Sequence, residues 1–409
     1  MFKSAIPRGV IYHDIFFDIK NFFKSIFYPL NKNGTINDFE EMFKDYIGSE
    51  YCVAFPYART GIYFSLKSQN YEEGTEILMP PITIKPMLDV VLDLKLKPVF
   101  VDIDPDTLCF DLNDLNKKIT NQTKAILITY LYGMVPNLNE LIKFCNENKL
   151  FVIEDFSQCL NGKFEDKKVG TFGDIGVYSS SKTKTLDIYG GGLCVTNNSD
   201  LFRILQKFQK NLSKPKRLRI LKIVTTDLLL NLATQRIIFN LVTFRLLKIL
   251  TKFSNSQTIK YVGSRSVEPL KILPPYWFEK FTSFQAKIGL ELIKSVDQLD
   301  KKRIFIVEDY KKSIKKISFP KGVPQGKNVY WQFLCYYKNP SEFQTIMQKY
   351  NVDLSSSSLS RISNLEKYKY RNETPNADYI YENSIFVPSY PNLTNKDIAY
   401  MVKMFNEKL

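Results

Sequence analysis

Along the first half of the chain, apolar and polar positions alternate between two rhythms. Short, β-branched-rich runs recur: YCVAF (51–55), EILM (76–79), KPVFVDI (97–103), KAILITYLYG (124–133), LFVIED (150–155), IGVYSS (175–180) and GLCVT (192–196). Between most of them lie stretches of helical period, such as TGIYFSLKS, IKPMLDVVLDLK and NLNELIKFCNENK. In the last, Leu138, Leu141 and Cys145 recur at spacings of three and four behind an Asn137 cap. Strands that read as continuous apolar runs and alternate with helices predict an α/β fold: a mainly parallel seven-stranded sheet covered by helices on both faces. From about residue 270 the pattern changes. A long helical stretch, SFQAKIGLELIKSVDQLDKKRIFIVEDYKKSI, precedes short strands around NVYWQFLCYYK and SIFVPSY, which predicts a smaller α+β C-terminal domain. The run LSSSSLSRIS (354–363) reads as a surface loop.

Two segments fall outside this scheme. DIFFDIKNFFKSIF (14–27) sets Ile15, Ile19, Phe22, Phe23, Ile26 and Phe27 against Asp14, Asp18, Asn21 and Ser25. The second, running to about residue 265, is rich in leucine, isoleucine and phenylalanine, with Arg245, Lys248 and Lys252 on one helical face. The expected organisation is an N-terminal amphipathic arm (1–37), a large domain (38–200), a basic helical insertion (201–265) and a small C-terminal domain (266–409).

Charge sharpens the picture of the insertion. The 409-residue chain carries a net charge of +15, and residues 201–260 alone hold thirteen Lys/Arg against one acid, Asp227. With the charge in one segment and no nucleic-acid-reading motif, a nucleic-acid partner is not expected. Both amphipathic segments are too polar to span a bilayer. They suit either an anionic membrane interface or burial against a second protomer.

Six scattered cysteines without a C-x-x-C pair suggest reduced, buried thiols. The one histidine, His13, is expected to be a surface or packing residue, so neither a metal site nor a histidine-based triad is foreseen. The start of the chain lacks the pattern of a secretory leader. A cytoplasmic protein is expected, peripheral on the inner face of the cell membrane if the amphipathic segments bind lipid.

Ligands of such sheets gather at the carboxyl ends of the strands. There, Arg59, Thr60 and Gly61 open a helix whose N-terminus favours a phosphate, although Thr60 could serve only as a cap. Glu154 and Asp155 end one strand, with Gln158 one turn on. IGVYSS brings Ser179 to Ser181 and two lysines, Lys182 and Lys184, to the same edge, followed by Gly190, Gly191 and Gly192. An amine, a carboxylate and a phosphate pocket at one edge are what pyridoxal 5'-phosphate requires. On residue types alone either lysine could be the reactive amine.

The blocks VFVDIDPDTLCFD, LYGMVPNLNELIKFCNENKLFVIEDFSQCLNGKFEDKKVGTFGDIGVYSSSKTKTLDIYGGGLCVTNN and IFVPSYPNLTNKDI resemble the DegT/DnrJ/StrS family of sugar aminotransferases, pyridoxal phosphate enzymes of fold type I. The resemblance covers roughly residues 38–200 and 270–409. It implies Lys184 as the Schiff-base lysine, Asp155 on the pyridine nitrogen, Gln158 near the ring hydroxyl, and Thr60 and Ser179 on the phosphate, with Arg59 as an added phosphate contact. Ile84 stands where an aromatic often stacks on the ring, and Phe278 where the partner subunit usually supplies an asparagine. The implied activity is transfer of an amino group from an amino acid, glutamate in our expectation, to a keto sugar, nucleotide-activated or lipid-linked, by a homodimer active in surface glycan biosynthesis. Two alternatives remain: a membrane-associated relative acting on another lipid-linked ketone, and a non-catalytic scaffold.

Overall fold

The computed structural model describes residues 4–253, 268–355, 359–364 and 373–409. All seven apolar runs become strands of one sheet: β1 (Tyr51–Phe55), β2 (Glu76–Met79), β3 (Lys97–Phe100), β4 (Thr123–Thr129), β5 (Phe151–Asp155), β6 (Ile175–Ser179) and β7 (Gly192–Thr196). Their spatial order is β1-β7-β6-β5-β4-β2-β3. Pairings from β3 through β6 are parallel, whereas β7 runs antiparallel to both β6 and β1. Two runs stop earlier than their apolar content predicts. β3 ends at Phe100, and after β4 the chain turns tightly at Leu131–Gly133, with Tyr132 at a left-handed φ of 56°.

Successive strand residues feed opposite faces, as a period of two demands. Ala54, Leu78, Ile126, Ile128 and Val152 enter one core with Phe39, Phe43, Leu138 and Leu141 from the helices Thr35–Ile47 and Leu138–Glu147. Val53, Phe55, Ile77, Leu127 and Ile153 enter the other with Ile62 and Val90 from Ala58–Lys67 and Lys85–Asp93. A third cluster joins Val307 and Tyr310 of the helix Val296–Ser313 to Phe333, Cys335, Phe386 and Phe405. There Phe333–Tyr336 pairs antiparallel with Ser384–Val387, the mixed architecture that the patterning predicts. The six cysteines are free and buried.

The serine-rich run is not a plain surface loop. Its residues 356–358 lie outside the described ones, but Ser360–Arg361 forms a short strand against Ile82–Thr83, with Arg361 buried.

The N-terminal helix, Ile15–Phe27, is built inside out. Its buried residues are Asp18, Asn21 and Ser25, while Phe16, Phe23 and Phe27 face outward. It packs against the insertion helix Arg217–Thr234, which buries Ile220, Val224, Asp227 and Asn231. Hydrogen bonds explain the inversion. Asn231 donates to Asp18 (2.6 Å), and Arg217 donates to the carbonyls of Ser25 (2.8 Å) and Tyr28 (3.0 Å), so the two helices run antiparallel.

His13 sits inside this network. Its Nδ1 meets Asp18 at 2.8 Å and its Nε2 meets the Asp187 carbonyl at 2.7 Å. A carbonyl only accepts, so Nε2 carries hydrogen, and the Asp18 carboxylate favours a second proton on Nδ1. Burial alone would lower the imidazole's pKa, but the Asp18 hydrogen bond and the Asp187 and Asp18 charges outweigh it and raise the pKa to about 9.

Beyond this helix the insertion continues through Arg236–Ile238 and a wide turn, Phe239–Thr243, into Phe244–Phe253. The basic face of this last helix is only partly solvated. Arg245 is exposed, Lys248 donates to Asn351 (3.1 Å), and the Lys252 side chain lies outside the described residues. Among the described residues no helix is long and apolar enough to cross a membrane.

Candidate active site

The alternation of β5 separates its two terminal carboxylates. Glu154 is buried among backbone N–H groups of Gly170 (2.8 Å), Phe172 (2.6 Å) and Gly173 (2.6 Å) and the Tyr130 hydroxyl. Both its oxygens are engaged as acceptors within the fold, so its role is structural. Asp155 points the other way and accepts the Ser157 N–H at 3.0 Å. Burial pushes its carboxyl above the ordinary value, while Ser157 and the positive charge of Lys184 pull it back.

Lys184 is the lysine brought to that carboxylate. Burial depresses its ammonium from 10.5 to about 8, and the Asp155 charge opposes the fall. The Lys184 Nζ also stands 3.7 Å from the centroid of the Trp331 ring. Lys182, two residues earlier, is exposed and lines a separate cleft.

The loop between β6 and β7 is held by short-range bonds. The Ser179 N–H donates to Ser157 Oγ (3.0 Å), which links the end of β6 to the Asp155 turn. The hydroxyls of Ser179 and Ser181 share one hydrogen bond at 3.1 Å, so one of the two protons is left to donate elsewhere. Gly190 and Gly191 take φ of 103° and 127°, and a Cβ on Gly192 would stand 2.2 Å from the Tyr57 carbonyl carbon. That close approach sets β7 against the start of the helix Ala58–Lys67.

At that helix start, the three expected phosphate residues behave differently. The Thr60 hydroxyl donates to the Trp277 carbonyl (2.7 Å), so a phosphate contact from it requires that bond to be exchanged. Gly61 packs on the sheet, where an added Cβ would meet Cys194 Sγ at 2.3 Å. The Arg59 guanidinium stacks between the rings of Tyr57 (4.6 Å) and Trp277 (4.8 Å). Ile84 caps the helix Lys85–Asp93 and is 40% exposed. Gln158 accepts the N–H of the left-handed Tyr132 at 2.7 Å through its Oε1, which leaves its amide N–H groups to donate. Phe278 packs on Tyr63 and Phe64.

Beside this corner lies a cleft of about 750 Å³ whose charged lining is Lys182, Lys216, Arg219 and Lys222 against Asp227 and Glu279. Arg219 is fixed there by Glu279 at 2.7 Å. No cluster of histidine, cysteine or acidic residues suited to a metal occurs among the described residues.

The donor set fits pyridoxal phosphate: a buried carboxylate for a ring N–H, an uncommitted amide, a spare serine proton, and a lysine amine depressed by burial. Trp331 and Ser157 escaped the sequence reading. Trp331 is distant in sequence and sits in an ordinary aromatic run, and nothing in the chain around it marks it.

Comparison with known proteins agrees. A model of the DegT/DnrJ/EryC1/StrS aminotransferase family matches residues 28–222 and 277–406. The GDP-perosamine synthase of Escherichia coli O157:H7 is 23% identical over 388 residues, 92% of this chain and 91% of that one. Among solved structures, the sugar aminotransferase CalS13 of Micromonospora echinospora superposes with a TM-score of 0.74 at 19% identity, covering 100% of both chains. The Helicobacter pylori aminotransferase PseC, involved in pseudaminic acid biosynthesis, gives 0.72 at 18% identity, again over 100% of both chains.

Proposed function

The chain belongs to the DegT/DnrJ/EryC1/StrS aminotransferase family, whose sugar aminotransferases use pyridoxal phosphate, and we propose that it moves an amino group from glutamate to the carbonyl of a keto sugar. One observation carries the reading: at the end of β5 the buried Asp155 carboxylate is the charge acting on Lys184, whose Nζ stands 3.7 Å over the Trp331 ring and whose amine burial has lowered to about 8.

Asp155 would hold the ring-nitrogen proton, and Ser157 keeps that carboxylate in place. The bound group supplies an electron sink for the pair released when the donor's Cα proton departs. Lys184 takes and returns that proton. An amine near 8 is partly neutral at cellular pH, so it can act as a base and then as an acid. Trp331 covers one side of the amine and limits its access to water. Ser179, Arg59 and the Ala58–Lys67 N-terminus would receive the phosphate, and Gln158 would donate toward the ring hydroxyl.

The basic cleft supports an acceptor that carries phosphate, either a nucleotide or a polyprenyl diphosphate, and the proposed setting is surface glycan assembly. The working unit we propose is a homodimer. Borohydride reduction of the purified protein followed by peptide mapping tests the assignment. A pyridoxyl group on Lys184 is expected, and one on Lys182 or elsewhere overturns it. Protein purified without any bound chromophore would favour a non-catalytic scaffold.

A further inference from the structure

We infer that the N-terminal helix and the insertion form a docking surface for an anionic phospholipid bilayer, on which the protein lies without crossing. The inference concerns where the enzyme works and does not depend on which sugar it aminates.

The first ground is the inverted helix. Phe16 is 75% and Phe27 82% exposed, with Phe23 between them on the same face. This exposure is imposed, because Asp18 is locked inward by His13, Tyr189 and Asn231, and Arg217 fixes the backbone at Ser25 and Tyr28. Rotating the helix to bury its phenylalanines would strand those polar groups, so the fold itself commits the apolar face to the outside.

The second ground is continuity with the insertion. Leu218 is 79% and Ile237 74% exposed, and Leu229, Leu241, Leu246, Ile249 and Leu250 are also exposed. Scattered exposed leucines need no explanation, but this density in two contiguous, mutually packed segments does.

Charge then selects the occupant. Lys20, Lys214, Lys216, Lys222 and Arg245 are exposed within the same two segments, whose acids Asp18 and Asp227 are buried, with Asp14 the one exposed carboxylate. A second copy docking through this face would set lysine against lysine. An anionic bilayer offers both hydrocarbon for the phenylalanines and leucines and counter-charge for the basic residues.

The test is flotation of the full-length, cofactor-loaded protein with vesicles of phosphatidylcholine alone or with phosphatidylglycerol. Binding is expected to be roughly tenfold or more stronger with phosphatidylglycerol, to weaken with salt, and to fall by a similar factor in the triple variant Phe16→Ser/Phe23→Ser/Phe27→Ser. The variant's bound chromophore and molecular mass by light scattering should stay unchanged. Absence of flotation at moderate salt, equal flotation of wild type and variant, or conversion of a dimer to monomers by the triple variant would each overturn the proposal. The last of these would identify the face as an interface between copies of this chain.

Discussion

The Lys184 ammonium lies 3.7 Å over the indole of Trp331, whose own Nε1–H donates to the Thr183 carbonyl at 2.7 Å. Trp331 thus clamps the backbone next to Lys184 and shields its amine. These effects oppose one another. A cation–π contact stabilises the charged form by about 0.5–2 kcal/mol, whereas loss of water lowers the amine from 10.5 to about 8. Desolvation is the larger. Trp331→Ala is therefore expected to raise the lysine's pKa, which would move the pH profile for cofactor loading to higher pH. Stopped-flow loading of stripped protein across a pH series measures this.

Replacing Asp155 should act in the opposite direction. Its charge holds the Lys184 amine up, so Asp155→Asn is expected to shift the loading profile below about 8. Steady-state turnover should fall as well, on the order of a hundredfold or more, because the ring nitrogen would lose the anionic partner proposed for it. Parallel kcat and loading measurements separate the two effects.

Lys184→Ala should abolish amino transfer by a factor of about 10⁴ while leaving the fold intact. Lys182→Ala is expected to retain turnover near wild type with saturating donor and to raise KM for a phosphate-bearing acceptor, since Lys182 lines the basic cleft. A donor half-reaction followed by absorbance distinguishes the two lysines.

The His13 network predicts a stability that declines with alkalinity. The imidazole binds its proton more tightly folded (about 9) than unfolded (6.5), so its stabilisation is complete below 6.5 and is lost as pH rises through about 9. Asp227, raised mainly by burial and by the charge of Asp187 to about 7, acts with the same sign at lower pH. His13→Gln should cost about 2–3 kcal/mol at pH 6 and flatten the dependence between 6.5 and 9. Denaturant midpoints at pH 6 and pH 9, for both proteins, check it.

Gly192→Ala should lower stability by about 2 kcal/mol or more, since the new methyl would meet backbone atoms of Tyr57 and Ala58 that have no room to yield. Because those atoms open the helix proposed to receive the phosphate, cofactor affinity should drop with the melting temperature. Thermal melts with and without added pyridoxal phosphate report both.

Much of the candidate site was legible because strand ends are legible. Runs such as LFVIED and IGVYSS are too apolar to lie anywhere but inside a two-faced sheet, and that placed Asp155, Ser179 and the lysines at one edge before any coordinates. Other features needed the fold. That Thr60 would spend its proton on Trp277, and that Arg59 would lie between Tyr57 and Trp277, depends on a turn more than two hundred residues away.

The N-terminal helix shows where the division falls. Amino-acid order determined that residues 15–27 form an amphipathic helix, because the period of the side chains along the backbone is a local property. It could not determine which side faces in. That depended on Asp18 finding Tyr189 and Asn231, distant in sequence, and on the cost of leaving such a carboxylate buried without donors. Hydrophobic period fixes the two faces of a helix, but only the partners assembled around it decide which of them meets the protein.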